Sequence, residues 1–123
     1  MLKMVDVYSG SSRSFATQAG TDITMVKATQ GTYYVNPECD KDYQAAKKVG
    51  KLLGVYHYSG GGDPVAEADY FYKQTKNYVG EAVPALDWEE YQNPMFGKDL
   101  NWCRKFVDRY HELTGVWCLI YVQ

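Results

Sequence analysis

Five short β-rich runs, Met4–Tyr8, Thr24–Thr29, Gly54–Tyr58, Val83–Trp88 and Trp117–Val122, alternate along the chain with stretches of helical period. Several runs are almost unbroken in apolar residues, as a parallel strand covered on both faces requires. Between the second and third runs, Tyr43, Ala46, Val49 and Leu53 recur at three- and four-residue steps. This spacing predicts a helix with Asp40 at its start and Gly54 at its end. Asp63-Pro64 announces the next helix, whose apolar stripe is Val65, Ala68, Tyr72, Thr75 and Val79, with Gly80 following. A last helix is expected over Asp99–Thr114, burying Cys103, Phe106, Val107, Tyr110 and Leu113 and stopping at Gly115. Only a weak helical signal, Phe15–Ala19, separates the first two strands. The series is that of consecutive parallel βα units. It leads either to a doubly wound open sheet or to a barrel, and both place functional groups at the carboxyl ends of the strands.

The 123 residues predict one α/β domain over 1–123, with neither repeats nor linkers. Composition narrows the partners. With 13 basic and 15 acidic residues interspersed and a net charge of −2, the chain has no electrostatic means of gripping a polyanion, so nucleic acid is not an expected partner. Twelve Tyr and 3 Trp supply flat amphipathic rings, which fill cores or line grooves. Cys39, Cys103 and Cys118 form neither a CxxC pair nor an even set, so reduced, mostly buried thiols are expected rather than disulfides or a metal site.

The candidate chemistry lies at the strand ends. In Leu86-Asp87-Trp88-Glu89, alternation sends Asp87 and Glu89 to one side and Leu86 and Trp88 to the other. The two carboxylates are then roughly 6.5 Å apart along the strand. In a partly dry cleft, repulsion and desolvation would raise one pKa and give a protonated acid beside an ionised base. On composition alone such a pair is more often a solvated turn. Asp6 changes the balance, because it ends the first strand between apolar neighbours and opens onto the same carboxyl-end face; its alternative reading is a cap or turn residue. His57 shares a side with Val55, and a lone histidine there is more often a hydrogen-bonded core group than a catalyst, although its strand-end position keeps a substrate contact open. The Gly60–Gly62 loop, between a strand and a helix, invites an anion-binding reading, but it lacks both the dinucleotide and P-loop patterns.

Taken in order, Val5-Asp6-Val7-Tyr8, Val26-Lys27-Ala28-Thr29-Gln30-Gly31, Tyr34-Val35-Asn36-Pro37, Gly54-Val55-Tyr56-His57-Tyr58, Asp63-Pro64 with Glu67-Ala68, and Leu86-Asp87-Trp88-Glu89 resemble glycoside hydrolase family 25 across essentially the whole chain. The resemblance implies a muramidase that hydrolyses the β-1,4 bond between N-acetylmuramic acid and N-acetylglucosamine in bacterial peptidoglycan. Glu89 then corresponds to the proton donor, Asp87 to its assisting neighbour, and Asp6 to the supporting acid at the floor of the site. Tyr8, Tyr34, His57, Tyr58 and Trp88 are placed near the groove by proximity, and neither metal nor organic cofactor is implied. Gln30 stands where many relatives have Glu.

The implied fold is a TIM-barrel-like (β/α)5(β)3 arrangement. A full α/β barrel needs about 200 residues or more, so this chain is expected to form an incomplete barrel without the last strands. Uncovered edges at the first and fifth strands predict self-association. The opening residues MLKMVDVYSG hold no apolar segment long enough for a leader or a membrane span, so the expectation is synthesis in the cytoplasm, no membrane insertion and a holin-type exit to the wall. Two other readings stay open: a catalytically inactive prophage remnant, and a small anion-binding module built on the Gly60–Gly62 loop.

Overall fold

The computed structural model describes residues 1–123 and places six strands in one sheet. In chain order the elements are β1 (Met4–Val7), α1 (Arg13–Ala16), β2 (Ile23–Gln30), β3 (Tyr34–Val35), α2 (Cys39–Lys48), β4 (Leu52–Tyr58), α3 (Pro64–Thr75), β5 (Val83–Trp88), α4 (Trp102–Thr114) and β6 (Leu119–Val122). A short 3₁₀ turn, Lys76–Tyr78, extends α3. Five strands pair in parallel in the order β1-β2-β4-β5-β6, and β3 adds a two-residue antiparallel pair to β2. Each parallel strand lies beside the one before it. A doubly wound sheet reverses direction at a switch point, whereas this order runs one way, as in a barrel.

The sheet's two faces have different solvents. Toward the helices, Val7, Val26, Leu53, Val55, Leu86 and Trp88 join Tyr43, Ala46, Ala68, Phe71, Trp102, Phe106 and Tyr110 in one buried cluster. Each large side chain fully buried there contributes about 1.5–3 kcal/mol of hydrophobic stabilisation before entropy is counted. The other face carries Met4, Asp6, Met25, Tyr56, Ala85 and Asp87, and no helix covers it. These residues line an open cavity of about 280 Å³, together with Leu119, Ile120 and Tyr121. All four residues of β6 are exposed. No helix is long and apolar enough to cross a membrane.

Helix boundaries shift from the expected ones for identifiable reasons. Helix α2 starts after Glu38 rather than Asp40, which lies in the first turn, and it ends at Lys48, with Gly50 rather than Gly54 as the glycine just past its end. Gly50 has φ +78°, a conformation that glycine adopts without a Cβ penalty. Leu53 fits the helical period but belongs to β4, where it is buried on the helix face. Val49, the other member of that stripe, is exposed. Gly54 lies within the strand because Met25 of β2 crosses over it: a Cβ there would overlap the Met25 sulfur. In α3 the buried set is Glu67, Ala68, Phe71 and Thr75, so Val65 points outward. Asp63 caps that helix as expected, accepting from Val65 N at 2.8 Å. Helix α4 begins at Trp102 and buries Trp102, Phe106 and Tyr110 at four-residue steps, with Cys103 and Val107 on its flanks. The last strand is shorter than expected because Trp117 leaves the sheet and stacks on His111, with centroids 3.8 Å apart. Cys39, Cys103 and Cys118 are free thiols.

Candidate active site

The carboxylates converge on the open face. Asp6 and Asp87 are the next-to-last residues of β1 and β5, and both line the cavity with Tyr56 of β4 between them. Asp87 Oδ1 is buried and has no hydrogen-bond partner. Its carboxyl is pushed up to about 8, first by burial, then by hydrogen bonding to Glu89 and by the charges of Glu89 and Asp6; Lys27 pulls the other way. The pair therefore retains a proton near neutral pH, because a second charge in this partly dry space is penalised by desolvation and repulsion together. Tyr56 is held protonated far above the ordinary phenol range by burial and by the charges of Asp6, Asp87 and Glu89. It can donate a hydrogen bond at any physiological pH.

One wall of the groove is aromatic. Tyr34 donates to Ser9 Oγ at 2.8 Å, and Tyr58 donates to the Tyr91 carbonyl at 2.7 Å, which ties β4 to the loop after Glu89. The Lys27 ammonium lies over both rings, 5.3 Å from the Tyr34 centroid and 4.9 Å from that of Tyr58. Tyr8 is exposed beside Asp6 at the mouth. Of the residues expected in the groove, Asp6, Asp87, Glu89, Tyr8, Tyr34 and Tyr58 are brought to one region of the molecule.

His57 and Trp88 are not, for a simple reason of alternation. Both point to the helix face. His57 is fully buried, with Nδ1 2.7 Å from Thr29 Oγ1 and Nε2 2.8 Å from Glu67 Oε1, and it stacks on Phe106. Burial lowers its pKa against the opposing pull of Glu67, which fixes a neutral ring that donates from Nε2 and accepts from Thr29. Trp88 packs on Trp102 and Phe96 in the core. Sequence reasoning passed over Lys27 and Tyr56, although each is offset by an even step from residues on the open face, Met25 and Gly54.

The Gly60–Gly62 loop is already filled from within. Glu67 Oε1 accepts from Gly60 N at 2.9 Å and Oε2 from Gly62 N at 2.8 Å, while Trp102 Nε1 donates to the Gly62 carbonyl at 2.7 Å. An internal carboxylate thus takes the amides that an external anion would need. This arrangement, together with the one-way strand order, overturns the anion-binding reading.

The sequence profile of the glycosyl hydrolases family 25 matches residues 5–123. The chain belongs to glycosyl hydrolase family 25. Among curated relatives, it is 32% identical over 120 residues to the N,O-diacetylmuramidase of a Chalaropsis species, covering 86% of this chain and 57% of that protein. It is 28% identical over 110 residues to the autolytic lysozyme of Clostridium acetobutylicum, covering 87% of this chain and 34% of that one. The bacterial lysozyme of Streptomyces coelicolor superposes with a TM-score of 0.82 at 26% identity, covering 98% of this chain and 62% of the other. The chain thus spans between about a third and two thirds of the length of these relatives. Its five parallel strands, joined by four helices, form the corresponding part of the family 25 barrel as a curled, open sheet.

Proposed function

We propose that this chain carries the acidic catalytic machinery of a peptidoglycan hydrolase that cleaves the β-1,4 bond between N-acetylmuramic acid and N-acetylglucosamine. The observation that carries this reading is the meeting of Asp87, whose carboxyl holds its proton near neutral pH, with Glu89 at the carboxyl end of β5 and Asp6 opposite. Glu89 is the proton donor to the leaving sugar oxygen and then the base that activates water. Asp87, beside it, holds the proton at rest; once that proton has passed through Glu89 to the leaving oxygen, the ionised Asp87 carboxylate stabilises the positive charge that develops on the sugar or on its acetamido group. Tyr56 and Asp6 complete the polar floor. General acid catalysis of this kind contributes about 10²–10⁴-fold, and a carboxyl that keeps its proton near neutrality is what the first step needs. The muramidase and lysozyme names of the curated relatives support the substrate class.

The test is to incubate the 123-residue chain with purified peptidoglycan, reduce the products with borohydride and identify the new ends. Reduced muramic acid is expected. Reduced glucosamine would assign cleavage to the other bond of the repeat, and no new ends would favour the inactive remnant.

The uncovered β6 edge and the apolar lining of the cavity also support association with a second copy, since unpaired strand edges beside exposed apolar side chains pair readily. Light scattering is expected to give a mass above that of one chain. A monomer at high concentration would contradict this.

A further inference from the structure

Lys27 has no role in the reading above, yet the groove is arranged around its ammonium. It projects from β2 to the open face, opposite Tyr56 in register. Its Nζ donates to Gln30 Oε1 at 2.8 Å and lies over the rings of Tyr34 and Tyr58. Such ring faces attract a cation without neutralising it. Gln30, itself buried, donates onward to Gln92 Oε1 at 2.9 Å and to Tyr33 Oη at 3.3 Å. Gln92 is the one non-glycine residue with positive φ, at +58°, and it follows Glu89 by three positions. Backbone of that kind persists only where its surroundings hold it. None of the chain's ion pairs uses Lys27. Every group holding the ammonium is therefore neutral, and the anions that its charge reaches are Asp87 and Glu89.

We propose that Lys27 is a positioning residue of this site: Gln30 and the two tyrosine rings hold its unneutralised charge beside Asp87 and Glu89, and the Gln30–Gln92 bond fixes the loop that follows them. This rests on the reading of those two acids as the reacting pair. The neutral side chain at position 30 matters, because a carboxylate there would pair with Lys27 and withdraw its charge from the dyad. Asp87 is faced by Asp6 from β1, Lys27 from β2, Tyr56 and Tyr58 from β4, Glu89 on its own segment and Tyr121 from β6. Lys27 is the single cation among them. Removing it leaves no positive charge to offset the repulsion from Asp6 and Glu89.

The sign follows directly: loss of the Lys27 charge raises the Asp87 midpoint further, and so does its neutralisation by a carboxylate at position 30. The experiment is a pH titration of the side-chain carboxyl carbons by NMR in the parent, Lys27→Met, Lys27→Arg and Gln30→Glu chains. Lys27→Met and Gln30→Glu are expected to move the Asp87 midpoint up by about one unit, the scale of a charge within a few ångström, while Lys27→Arg leaves it near the parental value. A purely structural lysine would not give this pattern. An unmoved midpoint in folded Lys27→Met overturns the proposal, and if that chain does not fold, Gln30→Glu carries the same decision. The titration needs no hydrolysis, so a chain that shifts as expected but releases no sugar ends would fail the muramidase reading and keep this one.

Discussion

Glu67 and Asp87 are both acids taken from water, one on each face of the same sheet, and they have opposite fates. Glu67 receives three hydrogen bonds, from His57, Gly60 N and Gly62 N, and locks a glycine loop, a strand and a helix together. Asp87 has an oxygen with no partner and two acidic neighbours. A buried carboxylate whose donors are all supplied from within is a structural part. One left short of donors keeps a proton that it can use. The comparison separates the stability of this chain from its chemistry, and each side can be perturbed alone.

The largest effect outside hydrolysis is expected on the helix face. Glu67→Ala leaves the Gly60 and Gly62 amides and the His57 ring without their acceptor, at a cost on the order of 3 kcal/mol, read as a lower urea midpoint. Asp87→Asn should act with the opposite sign. In the folded chain Asp87 keeps its proton up to about pH 8, whereas the unfolded carboxyl has lost it by about pH 4. Stability therefore falls as pH rises through that window and is flat above it. The Asn variant should lose this slope, so its melting temperature should exceed the parent's at about pH 8.5 and approach it at about pH 4. The helix face supplies the reverse slope. His57 is kept neutral by burial, so its contribution is lost as pH falls below the unfolded value of about 6.5. The smallest effect is at the groove rim: Tyr34→Phe removes one exposed hydrogen bond to Ser9 and should change stability by no more than about 0.5 kcal/mol.

Much of this was legible in strand alternation. The pattern of Leu86-Asp87-Trp88-Glu89 assigns the acids to one face and Trp88 to the other, and His57 shares a face with Val55. Following alternation rather than proximity would have sent both rings to the core and brought Tyr56 into the site. Gln30 was not legible in this way. Three residues from Lys27, it should face the opposite side, but the pairing of β2 with β4 slips between Lys27 and Thr29. That bulge returns Gln30 to the side of Lys27 and sends Thr29 to His57. The boundary between α2 and β4 failed for another reason. Leu53 satisfies both the helical period and the strand, and only the left-handed Gly50 decides between them.

The most direct test pairs two conservative changes, Glu89→Gln on the open face and Glu67→Gln on the helix face, and measures reducing-end release and urea unfolding on both. The account predicts that Glu89→Gln loses about 10²–10⁴-fold in release with an unchanged unfolding midpoint, while Glu67→Gln lowers the midpoint and leaves the folded fraction able to cleave. If Glu89→Gln cleaves like the parent, or if Glu67→Gln abolishes cleavage while the fold stays intact, the division of the sheet into a structural face and a chemical face is wrong.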